Sequence, residues 1–159
     1  MRGVYTYSYV VPEVLTPLKI LLYFRPKLHT VCEILGIDVT NNNQSVNEQL
    51  KIEVLKLTGA VIAPTSGNAL TVQKKERGDA SYTPAYAFGD VTATPNPVFE
   101  AAPIDAQGFP SLAGYHYSPL PEERDIISDD ESIGVRLLTV PAATMTMTVE
   151  MRIRVIGSA

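Results

Sequence analysis

Two histidines, His29 and His116, are the only side chains whose ordinary pKa lets them exchange protons near neutral pH, and Cys32 is the only thiol. His29 precedes Cys32 by three residues. On a strand that spacing puts the two side chains on opposite faces, so a thiol–imidazole pair is not expected. Cys32 reads instead as a small buried apolar residue, and a lone cysteine permits neither an intrachain disulfide nor a cysteine-based zinc site. His116 stands between Tyr115 and Tyr117, where an exposed or loop-packed imidazole is the simpler reading. Asp129-Asp130-Glu131 is the densest run of carboxylates, but it lacks the glycine and the spaced oxygen ligands of a calcium loop. It reads as a solvated turn between Ile127 and Ile133. No dinucleotide-binding glycine pattern, phosphate loop, zinc-protease helix or nucleophile elbow occurs. Neither enzyme activity nor a metal or cofactor is therefore expected.

Contact chemistry is better represented. Tyrosine is rigid and amphipathic, so it supplies interface area at low entropic cost. Tyr5, Tyr7 and Tyr9 alternate along one face of an N-terminal segment. Tyr82, Tyr86, Phe88, Tyr115 and Tyr117 fall in a proline-rich middle region. These eight residues are the candidate protein-interface positions, with residues 1–12 forming either an N-terminal arm or an edge strand open to a neighbouring chain. The alternative for Tyr5, Tyr7 and Tyr9 is packing on the chain's own core. The 13 basic residues against 17 acidic ones give a net charge of −4. The longest basic cluster, Lys74-Lys75-Glu76-Arg77, carries its own glutamate, so a nucleic-acid surface is not expected. The apolar run Ile20-Leu21-Leu22-Tyr23-Phe24 is far shorter than the ~20 residues a membrane helix needs. Met1-Arg2-Gly3 leads into alternating tyrosines rather than an apolar export signal, which predicts synthesis and retention in a cytoplasm. Without export, the glycosylation sequon Asn43-Gln44-Ser45 carries little meaning.

The elements that must position these residues are strands. Valine, isoleucine, threonine, tyrosine and phenylalanine make up a third of the 159 residues, and 12 prolines with 10 glycines break the chain often. Residues 145–155 alternate apolar and polar without exception, the mark of a long strand with one buried face. Weaker strand patterns occupy residues 4–10, 19–25, 28–39 and 133–139, with shorter ones at 98–101 and 115–117. Residues 40–43 read as a turn, and the break at Pro141-Ala142-Ala143 joins the last two strands as a hairpin. Residues 45–58 are ambiguous. Ser45-Val46-Asn47-Glu48 resembles a helix capping box, yet Leu50, Ile52 and Val54 alternate with charged residues. A strand with a bulge near Val54-Leu55 is the favoured reading. Residues 63–121 hold eight of the prolines and read as loop-rich. The sum is one all-β domain over residues 1–159: an antiparallel, jelly-roll-like β-sandwich with long Pro/Gly-rich loops.

Ser118-Pro119-Leu120-Pro121-Glu122-Glu123-Arg124 leads through Ile126-Ile127 and the acidic turn to Ile133-Gly134-Val135-Arg136-Leu137, and then to the final strand. This stretch resembles the small β-sandwich structural proteins of tailed-bacteriophage heads, including capsid decoration (cement) proteins. The resemblance implies a homo-oligomer, often a trimer, made in the host cytoplasm and seated on the capsid exterior against the major capsid protein. An acidic chain is not drawn to packaged DNA, which favours the outer surface. Other virion roles compete with this one, as head fibre, connector or tail component. A carbohydrate-binding module would also use aromatic loops, but the absence of tryptophan counts against it, and a small hydrolase finds no convincing set of residues.

Overall fold

The alternation at the C-terminus is realised along its length. Met145, Met147, Val149, Met151, Ile153 and Val155 are all buried, whereas Thr146, Thr148, Glu150, Arg152 and Arg154 between them keep contact with solvent. In the computed structural model, which describes residues 3–14, 19–42, 47–58, 66–92, 98–99 and 102–158, these residues belong to strand β13 (Met145–Ser158). It pairs antiparallel with β1 (Gly3–Val14) on one side and β3 (Thr30–Asn41) on the other.

The remaining strands are β2 (Lys19–Arg25), β4 (Gln49–Thr58), β5 (Ser66–Ala69), β6 (Thr71–Lys74), β7 (Tyr86–Thr92) and β8 (Val98–Phe99), followed by β9 (Asp105–Pro110), β10 (Tyr115–Tyr117), β11 (Ile126–Ile127) and β12 (Ser132–Leu137). They form two sheets. The first runs β10-β3-β13-β1-β6, with β11 also on β3, and the second runs β5-β7-β2-β12-β4-β8, with β9 also on β4. Set aside β5 to β7, and the chain places β1, β3, β10 and β13 in one sheet and β2, β4, β9 and β12 in the other. The last strand lies between the first and third. That alternation is the jelly-roll order. The segment β5–β7 is an insertion that widens both sheets on one side, adding β6 beside β1 and β7 beside β2.

The core fills the space between the sheets, drawing on β1, β3 and β13 from one side and β2, β4 and β12 from the other. Two bulges set its phase. Val135 lies opposite Leu22 and Arg136 opposite Ile20, so Leu21 is an extra residue, and Leu21 and Leu22 both enter the core. In β3, Arg152 lies opposite Gly36 and Ile153 opposite Ile34, which leaves Leu35 extra. This is why the buried residues shift from Cys32 and Ile34 to Ile37 and Val39.

Several expectations need correction. Residues 49–58 are strand, but β4 carries no bulge at Val54-Leu55, because its register against β12 and β9 is continuous. Both parities are apolar there for another reason. Leu50, Ile52 and Val54 face the main core, while Leu57 joins Ile20 and Tyr23 in a second apolar cluster on the far face of the sheet. The last two strands are not a hairpin. β12 has β2 and β4 on its two edges and β13 has β1 and β3, so no edge is left for them to share. Their connection arches from one sheet to the other. The N-terminal segment is neither an arm nor an edge, since β1 has β13 on one side and β6 on the other. The third strand begins at Thr30, after His29 takes a left-handed φ of 61°, and continues into the expected turn as far as Asn41. Among the described residues, the loop-rich middle contains six short strands, β5 to β10. Of residues 98–101, Val98–Phe99 form a strand, and Glu100 and Ala101 lie outside the described residues, as does Asn43 of the sequon.

Candidate functional site

The eight aromatic positions separate into two groups on opposite sides of the sandwich. Around the insertion, Tyr5 and Tyr7 are core residues at 0% and 2% exposure, so they have no surface to offer a partner. Their rings pack on Tyr82 and Phe24, with centroids 5.6 Å and 5.4 Å apart. Their hydroxyls instead tie down the turn that follows β6. Tyr5 Oη donates to the Ala80 carbonyl at 2.6 Å and Tyr7 Oη to the Tyr82 carbonyl at 3.4 Å. Tyr82 is buried too. Its hydroxyl accepts from the Lys27 amide at 2.9 Å and lies 3.0 Å from Thr30 Oγ1 and 3.5 Å from Cys32 Sγ. Burial holds the Cys32 thiol pKa up at about 11, which leaves it un-ionised and inert at neutral pH. Tyr9 is half-buried, its ring lying over Gly89 where a Cβ would come within 2.4 Å of it. Tyr86 and Phe88 remain partly exposed on β7, 6.2 Å apart between ring centroids, and with Tyr82, Leu70 and Val72 they line an apolar groove of about 270 Å³.

Tyr115 and Tyr117 lie on the other side, on β10, the outermost strand of the first sheet. A more polar groove of about 580 Å³ opens beside them, lined by Asp105, Glu123 and Asp125 with Ile104, Tyr117 and Pro119. Tyr115, which is buried, donates from Oη to Asp105 Oδ2 at 2.6 Å, and Tyr117 Oη donates to Asp125 Oδ2 at 3.0 Å. Burial, and then the hydrogen bond to a carboxylate, raises both phenol pKa values, so each hydroxyl stays a donor. His116 points to the outer face of the sheet. Its Nδ1 lies 2.7 Å from Asp38 Oδ1, and that hydrogen bond raises the imidazole pKa. Asp38 Oδ2 accepts from Arg152 at 2.9 Å. A parallel set joins Arg124 and Arg154 to the two oxygens of Glu33. Three strands are thus laced by alternating charges across an outer face.

No family model, curated protein or solved structure matches this chain. His116 and Asp38 form a carboxylate–imidazole pair, but the other carboxylate oxygen holds Arg152, and among the described residues no hydroxyl or thiol hydrogen-bonds to that imidazole. His29 is exposed in a turn while Cys32 is buried, so the two do not meet. The Asp129-Asp130-Glu131 run is a turn, as expected. The Asp129 carboxylate accepts the His29 amide at 2.5 Å, and Glu131 accepts the Ser128 amide and takes Lys56 at 3.5 Å. No group of three metal-ligating side chains converges among the described residues.

Sequence reasoning missed Asp105, Glu123 and Asp125: the last two share the link between β10 and β11, and only the fold brings Asp105 of β9 to them. It also passed over Asp38, Glu33, Arg152 and Arg154 as ordinary strand polar residues. The alternation of β13 does put both arginines on its outward face, and that was the one available signal.

Proposed function

We propose that this chain is a structural protein of a tailed-bacteriophage virion: a capsid decoration subunit that forms a homo-oligomer, a trimer by the family resemblance, and cements the shell from outside by contacting the major capsid protein. The observation that carries this reading is the construction of the segment bearing the resemblance. Between Ser118 and Leu137 the chain leaves β10 on one sheet, turns through a short 3-10 helix at Pro121–Glu123, places β11 on β3, and crosses to β12 in the middle of the other sheet. Arg124 anchors this path on Glu33 at 3.3 Å, and Leu120 and Ile126 stay 63% and 52% exposed along it. A rigid connection that keeps apolar side chains in water is suited to contacting another protein. Both histidines lie beside carboxylates in structural contacts and the thiol is buried, which supports a role in assembly rather than in bond-making.

On this reading each contact is modest, and symmetric repetition on a shell multiplies it into a stable attachment. Electron microscopy of particles from the virus encoding this chain tests it. The expected result is density for the sandwich on the outer surface of the head. Particles without the chain, or with it only in the tail, overturn the decoration role.

A further inference from the structure

We propose that copies of this chain join head to tail through the two outer edges of the first sheet, Lys75 and Arg77 in the turn after β6 of one protomer seating in the acid-rimmed groove beside β10 of the next. This deepens the oligomeric part of the function proposed above and rests on it.

The sheet order leaves β6 and β10 as opposite rims of one sheet. At the β6 rim, Thr71, Val72 and Gln73 are exposed. Lys74 reaches the Asp79 carbonyl at 2.9 Å and fixes the turn, which exposes Lys75 and Arg77, with no ion-pair partner among the described residues, on either side of an exposed Glu76. The groove at the β10 rim carries carboxylates with no lysine or arginine among its described residues. Elsewhere the carboxylates of Asp38, Glu33, Glu53 and Glu131 each hold an arginine, lysine or histidine. Asp105, Glu123 and Asp125 hold no cation among the described residues, and Asp105 and Asp125 have only neutral side-chain donors, from Tyr115, Gln107 and Tyr117. Their combined negative field adds to the rise in the Tyr117 pKa. His116 also lines the groove, but its imidazole is taken by Asp38, so the three carboxylates keep no cation of their own, and cations brought from outside relieve their mutual repulsion. The groove also has an apolar floor in Ile104, Tyr117 and Pro119, which the exposed Val72 and the aliphatic stems of Lys75 and Arg77 can cover.

The two surfaces lie at opposite rims, so one molecule cannot bring them together, and the contact cannot be self-paired about a two-fold axis. A contact of this kind closes into a ring when its rotation divides the circle. Exposed ion pairs contribute only ~0–1 kcal/mol each, so the free oligomer is salt-sensitive and gains its strength on a symmetric lattice.

Sedimentation of the full chain at about 0.05 M and about 1 M salt tests the proposal. The expected result is an oligomer at low salt that falls toward the protomer at high salt. Lys75→Glu/Arg77→Glu weakens assembly by at least ~10-fold in dissociation constant, and so does Glu123→Lys, a substitution at an exposed side chain with no ion pair to lose among the described residues. Mixing the two variants restores association, because the unaltered turn of one meets the unaltered groove of the other. An oligomer unaffected by either variant overturns this interface while leaving oligomerisation intact. A protomer at every concentration and both salts overturns the interface as well, and the virion reading is then judged separately by the particle images.

Discussion

Tyr5 Oη donates a 2.6 Å hydrogen bond to the carbonyl of Ala80, 75 residues further along the chain. One strand in from the rim of the first sheet, a side chain that could have served a partner instead fastens the inserted segment to the core. The tyrosine row of β1 is thus half packing and half latch: the rings fill the sandwich and the hydroxyls hold the turn at residues 75–82.

Removing that hydroxyl isolates the latch. Tyr5→Phe keeps the ring and loses one hydrogen bond, so unfolding stability should fall by ~0.5–1.5 kcal/mol. In a chain of this length that lowers the melting temperature by roughly 2–5 °C. Limited proteolysis should find residues 75–82 more accessible, and assembly at low salt should weaken along with the melting temperature, because the loosened turn is the one that seats in the neighbour's groove. A variant that melts normally but fails to assemble would return Tyr5 to an interface role.

Ile153 provides the test of the central strand. It is fully buried, lies opposite Tyr5 and Ile34, and sits where both sheets meet. Ile153→Ala should cost ~2–5 kcal/mol in urea unfolding through lost contacts and the cavity left behind. Ile153→Asp should prevent folding, because the carboxylate has no partner in that apolar environment. Soluble, cooperatively unfolding Ile153→Asp protein would contradict the pairing of Ile153 with Tyr5 and Ile34.

These two residues mark what the sequence could disclose. The parity of β13 is local information, and alternation alone identified its buried face. Tyr5 shares that parity, but its role depends on β6 covering β1, an event supplied by a distant insertion. A tyrosine on a half-apolar strand reads equally well as core or as interface until that neighbour is known. Pro141 marked a break correctly, yet a break looks the same whether the chain folds back beside β12 or crosses to the other sheet. The pattern over residues 28–39 marked a strand, but only the pairing revealed Leu35 as the bulge that shifts its buried face. The groove was illegible because Asp105, on β9, meets Glu123 and Asp125 only through the fold.

Cys32 offers a built-in reporter of opening. With its thiol pKa at about 11 and no exposed surface, the thiolate is scarce and out of reach in the folded protein. Labelling by a thiol reagent at neutral pH should be slow in native buffer and complete within the mixing time in denaturant. Its rate in intermediate urea should follow the unfolding transition. Rapid labelling of the folded protein would show that the pocket formed by Tyr82 and Thr30 opens locally.

Gly89 and Tyr9 should be coupled. A Cβ at Gly89 would meet the Tyr9 ring at 2.4 Å, so Gly89→Ala must displace it, at ~1–3 kcal/mol. Tyr9→Gly removes both the ring and the Tyr9 Cβ, which would itself lie 2.7 Å from the new methyl, and Gly89→Ala should cost far less in that background. A double-mutant cycle read by urea unfolding measures the difference. Additive effects would mean that the ring is free to move aside.

His116 makes stability depend on pH with a defined sign. Its hydrogen bond to Asp38 raises its pKa above the value in the unfolded chain, with the Arg152 charge opposing in part. The protonated imidazole therefore stabilises the folded state fully below the unfolded value of about 6.5, and that contribution fades as pH rises through the raised folded value. Because the side chain is 58% exposed, the effect is small and screened by salt. The gap in unfolding midpoint between the unaltered protein and His116→Gln should be wider at about pH 5.5 than at about pH 8.5 in low salt. Arg152→Gln should widen it further at the acidic end by leaving Asp38 to His116 alone. A gap that grows toward alkaline pH would mean that the imidazole binds Asp38 only as a neutral donor, and that the charge lacing of this face does not extend to β10.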